Sequence, residues 1–179
     1  LGLSWDAVDL QQGKLTVRQA LHEVSGKVYL GDVKTKASRR TISLPKDAVQ
    51  ALRRQRKYQL EEQLASGGRW VNEENLVFTD TQGGLLRRTN VSKRDMKRIV
   101  RRADLEDATL HTFRHTHASL LIAAGVDIKT ISRRLGHENI TITLQTYGHL
   151  MPGQDERAAD VMDTILAGLP SVPPMASRL

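Results

Sequence analysis

The spacing of apolar residues changes along this chain, and that change limits the folds it can adopt. In GKLTVRQALHEV, residues 13–24, apolar and polar side chains alternate, which is typical of half-buried strands. KVYLGDV and RRTISLP follow, so we expect a small antiparallel sheet whose second hairpin displays basic residues near its tip. Pro45 then suits the first position of a helix. The predicted stripe of that helix is Val49, Leu52, Arg56, Leu60 and Leu64.

From about residue 89 onward, the sequence predicts a succession of helices separated by capping residues. A basic helix comes first, HTFRHTHASLLIAA stops at Gly125, and DIKTISRRL runs from the predicted N-cap Asp127 to Gly136. ITITLQTYGHL and DERAADVMDTILAGL complete the series. The predicted fold class is α+β, mostly helical, with a small antiparallel β-sheet near the N-terminus. We expect one domain over residues 1–168 and an unstructured, Pro-rich tail over residues 169–179.

Composition argues against several classes of protein. With 39% hydrophobic residues, 179 residues suffice for one domain, and no run approaches the roughly 18 to 20 apolar residues that cross a bilayer. The chain has no cysteine, hence no disulfide framework or thiolate metal site, and no Gly-rich phosphate loop. Its start does not resemble a secretory signal. We expect a cytoplasmic protein without membrane contact.

The charge is positive and clustered. Lys and Arg number 27 against 20 acidic residues, a net charge of +7. Residues 87–102 carry eight of these cations against the single Asp95. A helix there is expected to turn its cations outward and to bury Val91, Met96, Ile99 and Val100. Such a face is either simply solvated or a surface for nucleic-acid phosphates, whose counterions are released on binding.

HTFRHTHASLL brings three histidines and an arginine to the start of a predicted helix. His111 and His115 have the i, i+4 spacing of two metal ligands, but the metalloprotease pattern needs Glu where this chain has Thr112. Arg114 would also repel a divalent cation, so we expect no metal. His111 and Arg114, at i and i+3 near a helix N-terminus, fit an anion such as phosphate. His115 and His117 are interpreted as packing or surface residues.

Two more candidates follow the helix stop at residue 136. His137 comes directly after it, and Tyr147 lies ten residues later. A tyrosine is more often a core residue with a satisfied hydroxyl, but the neighbours Thr146, Gly148 and His149 are polar or small, which is unusual for a deeply buried ring. A phenol can also act as a nucleophile on a phosphodiester.

Together these motifs resemble the catalytic domain of the tyrosine recombinases, the phage integrase family. HTFRHTHASLLIAAGVDIKTISRRLGHENITITLQTYGHL is similar to that family's signature of His-x-x-Arg, then Leu-Gly-His, then a tyrosine about ten residues on. KTKASRRTISLP resembles the hairpin that presents the family's catalytic lysine, and LGLSWDAVDL resembles the segment after its first catalytic arginine. The similarity runs from residue 1 to about residue 168.

The resemblance implies a role for each matching residue in DNA cleavage and rejoining through a 3′-phosphotyrosyl link, serving integration or excision of a phage or mobile element. Tyr147 would be the nucleophile, Arg114 a phosphate clamp, and His111 and His137 phosphate-binding or proton-transfer groups. Lys34 would be the general acid, with Lys36 on the same hairpin as the alternative. No cofactor is implied. The partners would be double-stranded DNA and further recombinase protomers, as a tetramer on DNA. The predicted DNA-binding residues are Lys36, Arg39, Arg40, Arg87, Arg88, Lys93, Arg94, Lys97 and Arg98.

The resemblance is incomplete at the start of the chain. The family places another arginine, and soon after it an acidic residue, a few positions before the segment that matches Leu1. We therefore expect a partial catalytic domain that binds DNA weakly and cleaves it poorly by itself. Two other classes were considered. One is a non-catalytic helix-turn-helix module with ITITLQTY as its recognition helix, and the other is a type IB topoisomerase.

Overall fold

The computed structural model describes residues 1–105, 108–151 and 153–168, and the predicted tail over residues 169–179 lies outside them. The predicted α+β, mostly helical fold class is confirmed. The strands are β1 (Val8–Asp9), β2 (Lys14–Val17), β3 (Gln19–Val24), β4 (Lys27–Asp32) and β5 (Arg40–Ser43). The helices are α1 (Lys46–Ala65), α2 (Arg88–Asn90), α3 (Met96–Arg102), α4 (Leu110–Ala123), α5 (Ile128–Leu135), α6 (Ile140–Tyr147) and α7 (Gln154–Ala167).

The strands form two small antiparallel sheets, ordered β1-β2-β5 and β3-β4. The β3–β4 hairpin turns through Ser25 and Gly26, whose positive φ values of 48° and 77° suit a tight two-residue turn. The predicted second hairpin, between β4 and β5, is wrong, because β5 pairs with β2 and places Ile42 opposite Leu15. Alternation identifies a strand but not its partner. Residues 33–39, here called the lysine segment, therefore connect one sheet to the other.

Helix α1 begins one residue later than predicted, with Pro45 as its N-cap, and it buries a different face. Leu52 is buried as predicted, but Leu60 and Leu64 are 54% and 83% exposed. The inner face instead continues through Gln59, which accepts a hydrogen bond from the Trp5 indole at 2.7 Å and donates to the Leu76 carbonyl at 2.9 Å. A polar residue occupies the face because the segment packed beneath it presents backbone carbonyls that need donors.

The basic helix is built from α2, a π-helical turn over Val91–Asp95, and α3. Met96 and Val100 are buried, as predicted, and Val91 is half-buried. The prediction for Ile99 is wrong, because its side chain is 55% exposed. Met96 and Val100 stand at i and i+4 on one face, and Ile99 lies beside that face.

Helices α4, α5 and α6 pack around a core of Ala118, Ile122, Ile131, Leu135 and Tyr147. The predicted N-cap Asp127 and helix stop Gly136 are confirmed, whereas ITITLQTYGHL, predicted as one helix, forms α6 and then a 3-10 turn over Gly148–Leu150. Asp127 caps α5 by accepting a hydrogen bond from the Thr130 amide at 2.9 Å, and Gly136 ends α5 in the left-handed conformation with φ 73°. Thr109 forms a capping box with Thr112 at the start of α4, and this fixes where the histidine cluster begins.

Helix α7 follows this core and is amphipathic, but its apolar side chains are exposed. Val161, Met162, Ile165 and Leu166 have between 50% and 57% of their surface accessible. Within the described ranges, no helix combines the length and the apolar character that crossing a membrane requires.

Candidate active site

Arg114 lies near the start of α4, half-buried against the end of α5. One of its terminal nitrogens, Nη2, donates a hydrogen bond to the carbonyl oxygen of Leu135 at 2.6 Å. Leu135 is the last residue of α5, so this bond satisfies a carbonyl that the helix leaves without an amide partner. It also fixes the guanidinium beside the turn that carries His137.

His137 is held in that turn by two contacts. Its amide donates to the Ser132 carbonyl at 3.1 Å, and its ring Nδ1 lies 2.7 Å from the hydroxyl of the fully buried Thr143. Burial first, and then the charges of Arg114 and Arg40, lower the pKa of His137 below its ordinary value. The neutral ring is therefore favoured in the absence of a bound anion.

Arg40 lies near Arg114 and His137, and the group of these three residues is here called the pocket. Its Nε donates to the Arg134 carbonyl and its Nη1 to the Ser38 carbonyl, each at 2.9 Å. Burial and the neighbouring Arg114 guanidinium lower the pKa of Arg40. Sequence reasoning had placed Arg40 among the surface DNA contacts. The alternation of side chains along β5 could have predicted that Arg40 faces inward. Arg40 stands two residues before Ile42, and both are half-buried on one face.

Among the described residues, no negative charge compensates the cations of the pocket. In the described part of the chain, no carboxylate forms an ion pair with Arg40 or Arg114. Two half-buried guanidinium groups near each other repel, and an anion bound to Arg114 relieves this repulsion. The arrangement therefore suits a phosphate group, to which arginine can donate two parallel hydrogen bonds.

Tyr147 is the last residue of α6, and its side chain is buried, with only 3% of its surface exposed. The expectation drawn from its polar neighbours is therefore wrong. Thr143 and Tyr147, at i and i+4, both face the core, whereas Thr146 and His149 point away from it and are exposed. The ring packs with Leu135 and the other core residues of α4 and α5.

The Tyr147 hydroxyl lies 2.9 Å from Nδ1 of His115, an exposed residue of α4. His115 had been interpreted as a packing or surface residue, and sequence reasoning missed its contact with the candidate nucleophile. The available signal was its position: His115 follows Arg114 directly and stands one helical turn after His111. The hydroxyl thus lies against the same turn of α4 that carries Arg114.

His117, interpreted as a packing or surface residue, is half-buried and is held by Arg134 of α5. The Arg134 Nε donates to His117 Nε2 at 3.0 Å, and the Arg134 Nη1 donates to the Ser43 carbonyl at 3.0 Å. Burial, followed by the charges of Arg134 and Arg114, lowers the pKa of His117. These contacts tie α4, α5 and β5 together behind the pocket.

The remaining candidates lie at the surface. Lys34, Lys36 and His111 are exposed, and no side-chain hydrogen bond or ion pair joins them to another residue in the described ranges. Lys34 lies in a bend, and Lys36 begins a 3-10 turn over Lys36–Ser38. The structure therefore brings Arg114, His137 and Arg40 together, and it places the Tyr147 hydroxyl at His115, the residue after Arg114. In the described ranges, Lys34 and His111 form no side-chain hydrogen bond or ion pair with this group.

The other predicted DNA-binding residues form an exposed basic surface. All eight cations of residues 87–102 are exposed, and Arg94 is paired with Asp95 at 3.0 Å. Arg39 is likewise exposed and approaches Asp32 at 3.5 Å. Among the residues that the structure describes, no three histidine, aspartate or glutamate side chains are grouped so as to hold a metal ion.

Comparison with known proteins gives one family over most of the chain. The model of the phage integrase family matches residues 1–153. A tyrosine recombinase XerC-like protein from Caldanaerobacter subterraneus subsp. tengcongensis is 33% identical, over 92% of this chain and 45% of that protein. The ICEBs1 integrase of Bacillus subtilis is 32% identical, over 93% of this chain and 44% of that protein. The chain thus spans about half the length of these relatives.

Solved structures give the same fold. The Tn1549 transposon integrase, determined in complex with transposon right-end DNA, superposes with a TM-score of 0.70 at 23% identity, over 92% of this chain and 52% of that one. The XerA recombinase superposes with a TM-score of 0.62 at 18% identity, over 96% of this chain and 52% of that one. Neither the family match nor these neighbours favour a helix-turn-helix module or a topoisomerase.

Proposed function

The chain belongs to the phage integrase family, and we propose that residues 1–168 supply a catalytic domain for site-specific cleavage and rejoining of DNA, in the integration or excision of a mobile element. The observation that carries the proposal is the pocket formed by Arg40, Arg114 and His137. It concentrates positive charge and hydrogen-bond donors, with no neutralising carboxylate among the described residues, beside a helix that carries a tyrosine hydroxyl.

Arg114 and His137 are the proposed ligands of the scissile phosphate, with His111 on the same helix as a further donor or proton acceptor. Negative charge grows on the phosphoryl oxygens as the nucleophile attacks. Donors fixed in advance around that charge are worth about 2.7–4 kcal/mol each. The carbonyl of Leu135 holds Arg114 in place before DNA arrives, so little reorganisation is required during the reaction.

Tyr147 is the proposed nucleophile. Its oxygen attacks phosphorus, the bond between phosphorus and the 5′ oxygen breaks, and a 3′-phosphotyrosyl ester forms. The phenol proton passes to a nearby base, and the departing 5′ oxygen takes a proton from Lys34 or, alternatively, Lys36. Because the ring is buried, the proposal requires the end of α6 to move so that the hydroxyl leaves His115 and reaches the phosphate.

Double-stranded DNA is the proposed substrate, and the exposed basic surface of residues 87–102 is its proposed contact. The DNA complex of the similar Tn1549 integrase supports this assignment. We further propose assembly into a tetramer on DNA, in the cytoplasm. The exposed apolar stripe of α7, with Val161 and Ile165 among its members, is a surface that another protomer could cover.

A nicked suicide substrate tests the function directly. In the complete gene product that contains this chain, cleavage traps a covalent protein–DNA adduct that migrates slowly in a denaturing gel. Tyr147→Phe should abolish the adduct and keep DNA binding. Tyr58→Phe is the matched control, because Tyr58 is 62% exposed on α1, and it should cleave as the unmodified protein does. An adduct that persists in Tyr147→Phe would contradict the assignment of the nucleophile.

A further inference from the structure

We propose that Arg40 is a positioning residue for this reaction, which fastens the lysine segment to the pocket of Arg114 and His137. The inference rests on the proposed function and adds to it a means of bringing the general acid to the phosphate. In the structure the phosphate-binding groups lie close to one another, but Lys34 and Lys36 are exposed on a separate segment.

The hydrogen bonds of Arg40 join the two parts of the site. Its Nη1 donates to the carbonyl of Ser38, at the end of the lysine segment. Its Nε donates to the carbonyl of Arg134, which lies three residues before His137. One guanidinium therefore bonds both the backbone that presents the lysines and the helix whose end presents His137.

Arg134 makes a second, separate contact between α5 and β5, the strand that follows the lysine segment. Its side chain donates to the carbonyl of Ser43, the last residue of β5, and is held by His117. Arg40 is the first residue of β5. Strand β5 is thus fastened to α5 at both ends. Loss of the Arg40 side chain removes only the contact with α5 at the end that adjoins the lysines. The contact through Arg134 and the pairing of β5 with β2 remain.

Gly136 allows Arg40 to approach this closely. Gly136 has a φ of 73°, and a Cβ added to it would lie 2.5 Å from the Arg40 Nη1. The guanidinium therefore packs on the backbone of the residue directly before His137. A lysine in place of Arg40 has one nitrogen and cannot reproduce two donors in a fixed plane.

This contact matters because the reaction needs several side chains at fixed positions around one phosphate. Arg114 and His137 act on the phosphoryl oxygens, and the general acid must reach the leaving 5′ oxygen of the same phosphate. A misplacement of about 1 Å can lower a rate by about 100-fold. We expect the loss of Arg40 to act mainly on protonation of the leaving group.

A pair of suicide substrates tests this expectation in the complete gene product that contains the chain. One has the ordinary 5′ oxygen, and the other has sulfur in its place, which leaves as a thiolate without a proton donor. Arg40→Ala should cleave the ordinary substrate about 100-fold more slowly, with DNA affinity little changed. On the sulfur substrate the defect should nearly vanish, as it should for whichever of Lys34→Ala and Lys36→Ala removes the general acid.

Arg53→Ala is the matched control, because Arg53 also donates to a backbone carbonyl, that of Leu10 at 3.2 Å, but on α1. It should cleave both substrates at the normal rate. The proposal is overturned if Arg40→Ala cleaves the ordinary substrate normally, or if its defect persists on the sulfur substrate while that of the lysine variant is rescued. If Arg40→Ala is insoluble, Arg40→Lys takes its place.

Hydrogen exchange on the same variants separates this inference from the proposed function. Arg40→Ala should speed exchange of the amides of the lysine segment, including Ser38 and Arg39, and leave α4 to α6 protected. Unchanged exchange there would overturn the tie, whatever the protein does to DNA. Absence of an adduct from the unmodified protein, with the exchange result as expected, would contradict the proposed function alone.

Discussion

At the residue scale, charge and burial act against each other around α5. Arg40 and Arg114 are half-buried cations without acidic partners in the described part of the chain, and His117 and His137 lie in their field. Each histidine is therefore pushed toward its neutral form. This serves the fold, since His117 must be neutral at Nε2 to accept the Arg134 hydrogen bond.

Stability should consequently depend on pH through His117. Its pKa in the folded protein is lowered below the ordinary 6.5 by burial and by Arg134 and Arg114. Below about pH 6.5, His117 binds a proton more readily in the unfolded chain than in the folded protein. The free energy of unfolding therefore decreases as pH falls from about 7 toward the lowered pKa. Urea unfolding at several pH values should show this loss. In His117→Gln, which keeps an acceptor but does not titrate, the loss over this range should be smaller. Identical pH profiles would contradict the argument.

The sequence predicted some residues and not others, for identifiable reasons. His-x-x-Arg and Leu-Gly-His identified Arg114 and His137, because those residues are set by helix starts and stops that capping residues reveal. The burial of Tyr147 and its contact with His115 were not predicted, because they depend on how α6 packs on α4. Arg40 was assigned to the surface because the contact that draws it inward is with a backbone carbonyl distant in sequence, that of Arg134.

At the element scale, α1 shows how a helix can bury a polar face. After Leu52, the apolar residues of the predicted stripe lie on the exposed side of α1. Gln55 and Gln59 lie on the inner side instead. Sequence periodicity could not show this, because the reason is a row of carbonyls on another segment. Gln55 donates to the Val77 carbonyl at 3.1 Å, in line with the contacts of Gln59.

Truncation of the Gln59 side chain should therefore lower the free energy of unfolding. Gln59→Ala leaves the Trp5 indole without its partner in a buried setting. It also removes one of the two hydrogen bonds that the Leu76 carbonyl accepts, the other coming from the Asn72 side chain. An unsatisfied buried group costs about 1–3 kcal/mol, so the free energy of unfolding should fall by at least that amount. Leu60→Ala, next to it but 54% exposed, should change stability by less than about 0.5 kcal/mol. Urea denaturation of both variants measures the difference, and equal effects would contradict the assigned face.

The ends of α4 and α5 provide a second comparison. Gly125 and Gly136 both have positive φ, of 76° and 73°, but an added Cβ meets nothing within 4 Å at Gly125 and meets the Arg40 guanidinium at Gly136. Substitution by Ala imposes the same backbone strain at both positions. Gly136→Ala should be the more destabilising by about 1–2 kcal/mol, because it also displaces the hydrogen bonds of Arg40. Thermal unfolding of the two variants checks this, and equal losses would show that Arg40 does not pack there.

At the scale of the whole molecule, the net charge of +7 is unevenly placed, with the exposed basic surface of residues 87–102 as its densest part. The fold class could be predicted because the change of periodicity and the helix stops are local signals. The pairing of β5 with β2 could not, since it joins strands separated by a complete hairpin. The basic surface was predicted correctly in outline because charge and amphipathic spacing suffice to define it.

The salt dependence of DNA binding should depend on the cations of that surface. The logarithm of the binding constant falls with the logarithm of salt concentration, with a slope of about 0.9 for each phosphate neutralised. Lys97→Gln combined with Arg98→Gln should lower the slope by about 2. Arg54→Gln combined with Lys57→Gln removes the same charge from α1 and is the control, with an unchanged slope expected. Titrations at several salt concentrations measure both, and equal slopes would place the DNA elsewhere.

The proposed reaction requires the hydroxyl of Tyr147 to attack the DNA phosphate that Arg114 and His137 hold. The most direct test is to trap the covalent adduct, digest both protein and DNA, and locate the remaining nucleotide by tandem mass spectrometry. We expect a nucleotide bound through its 3′ phosphate to Tyr147 and to no other residue. A nucleotide attached to another tyrosine, a serine or a histidine would contradict it.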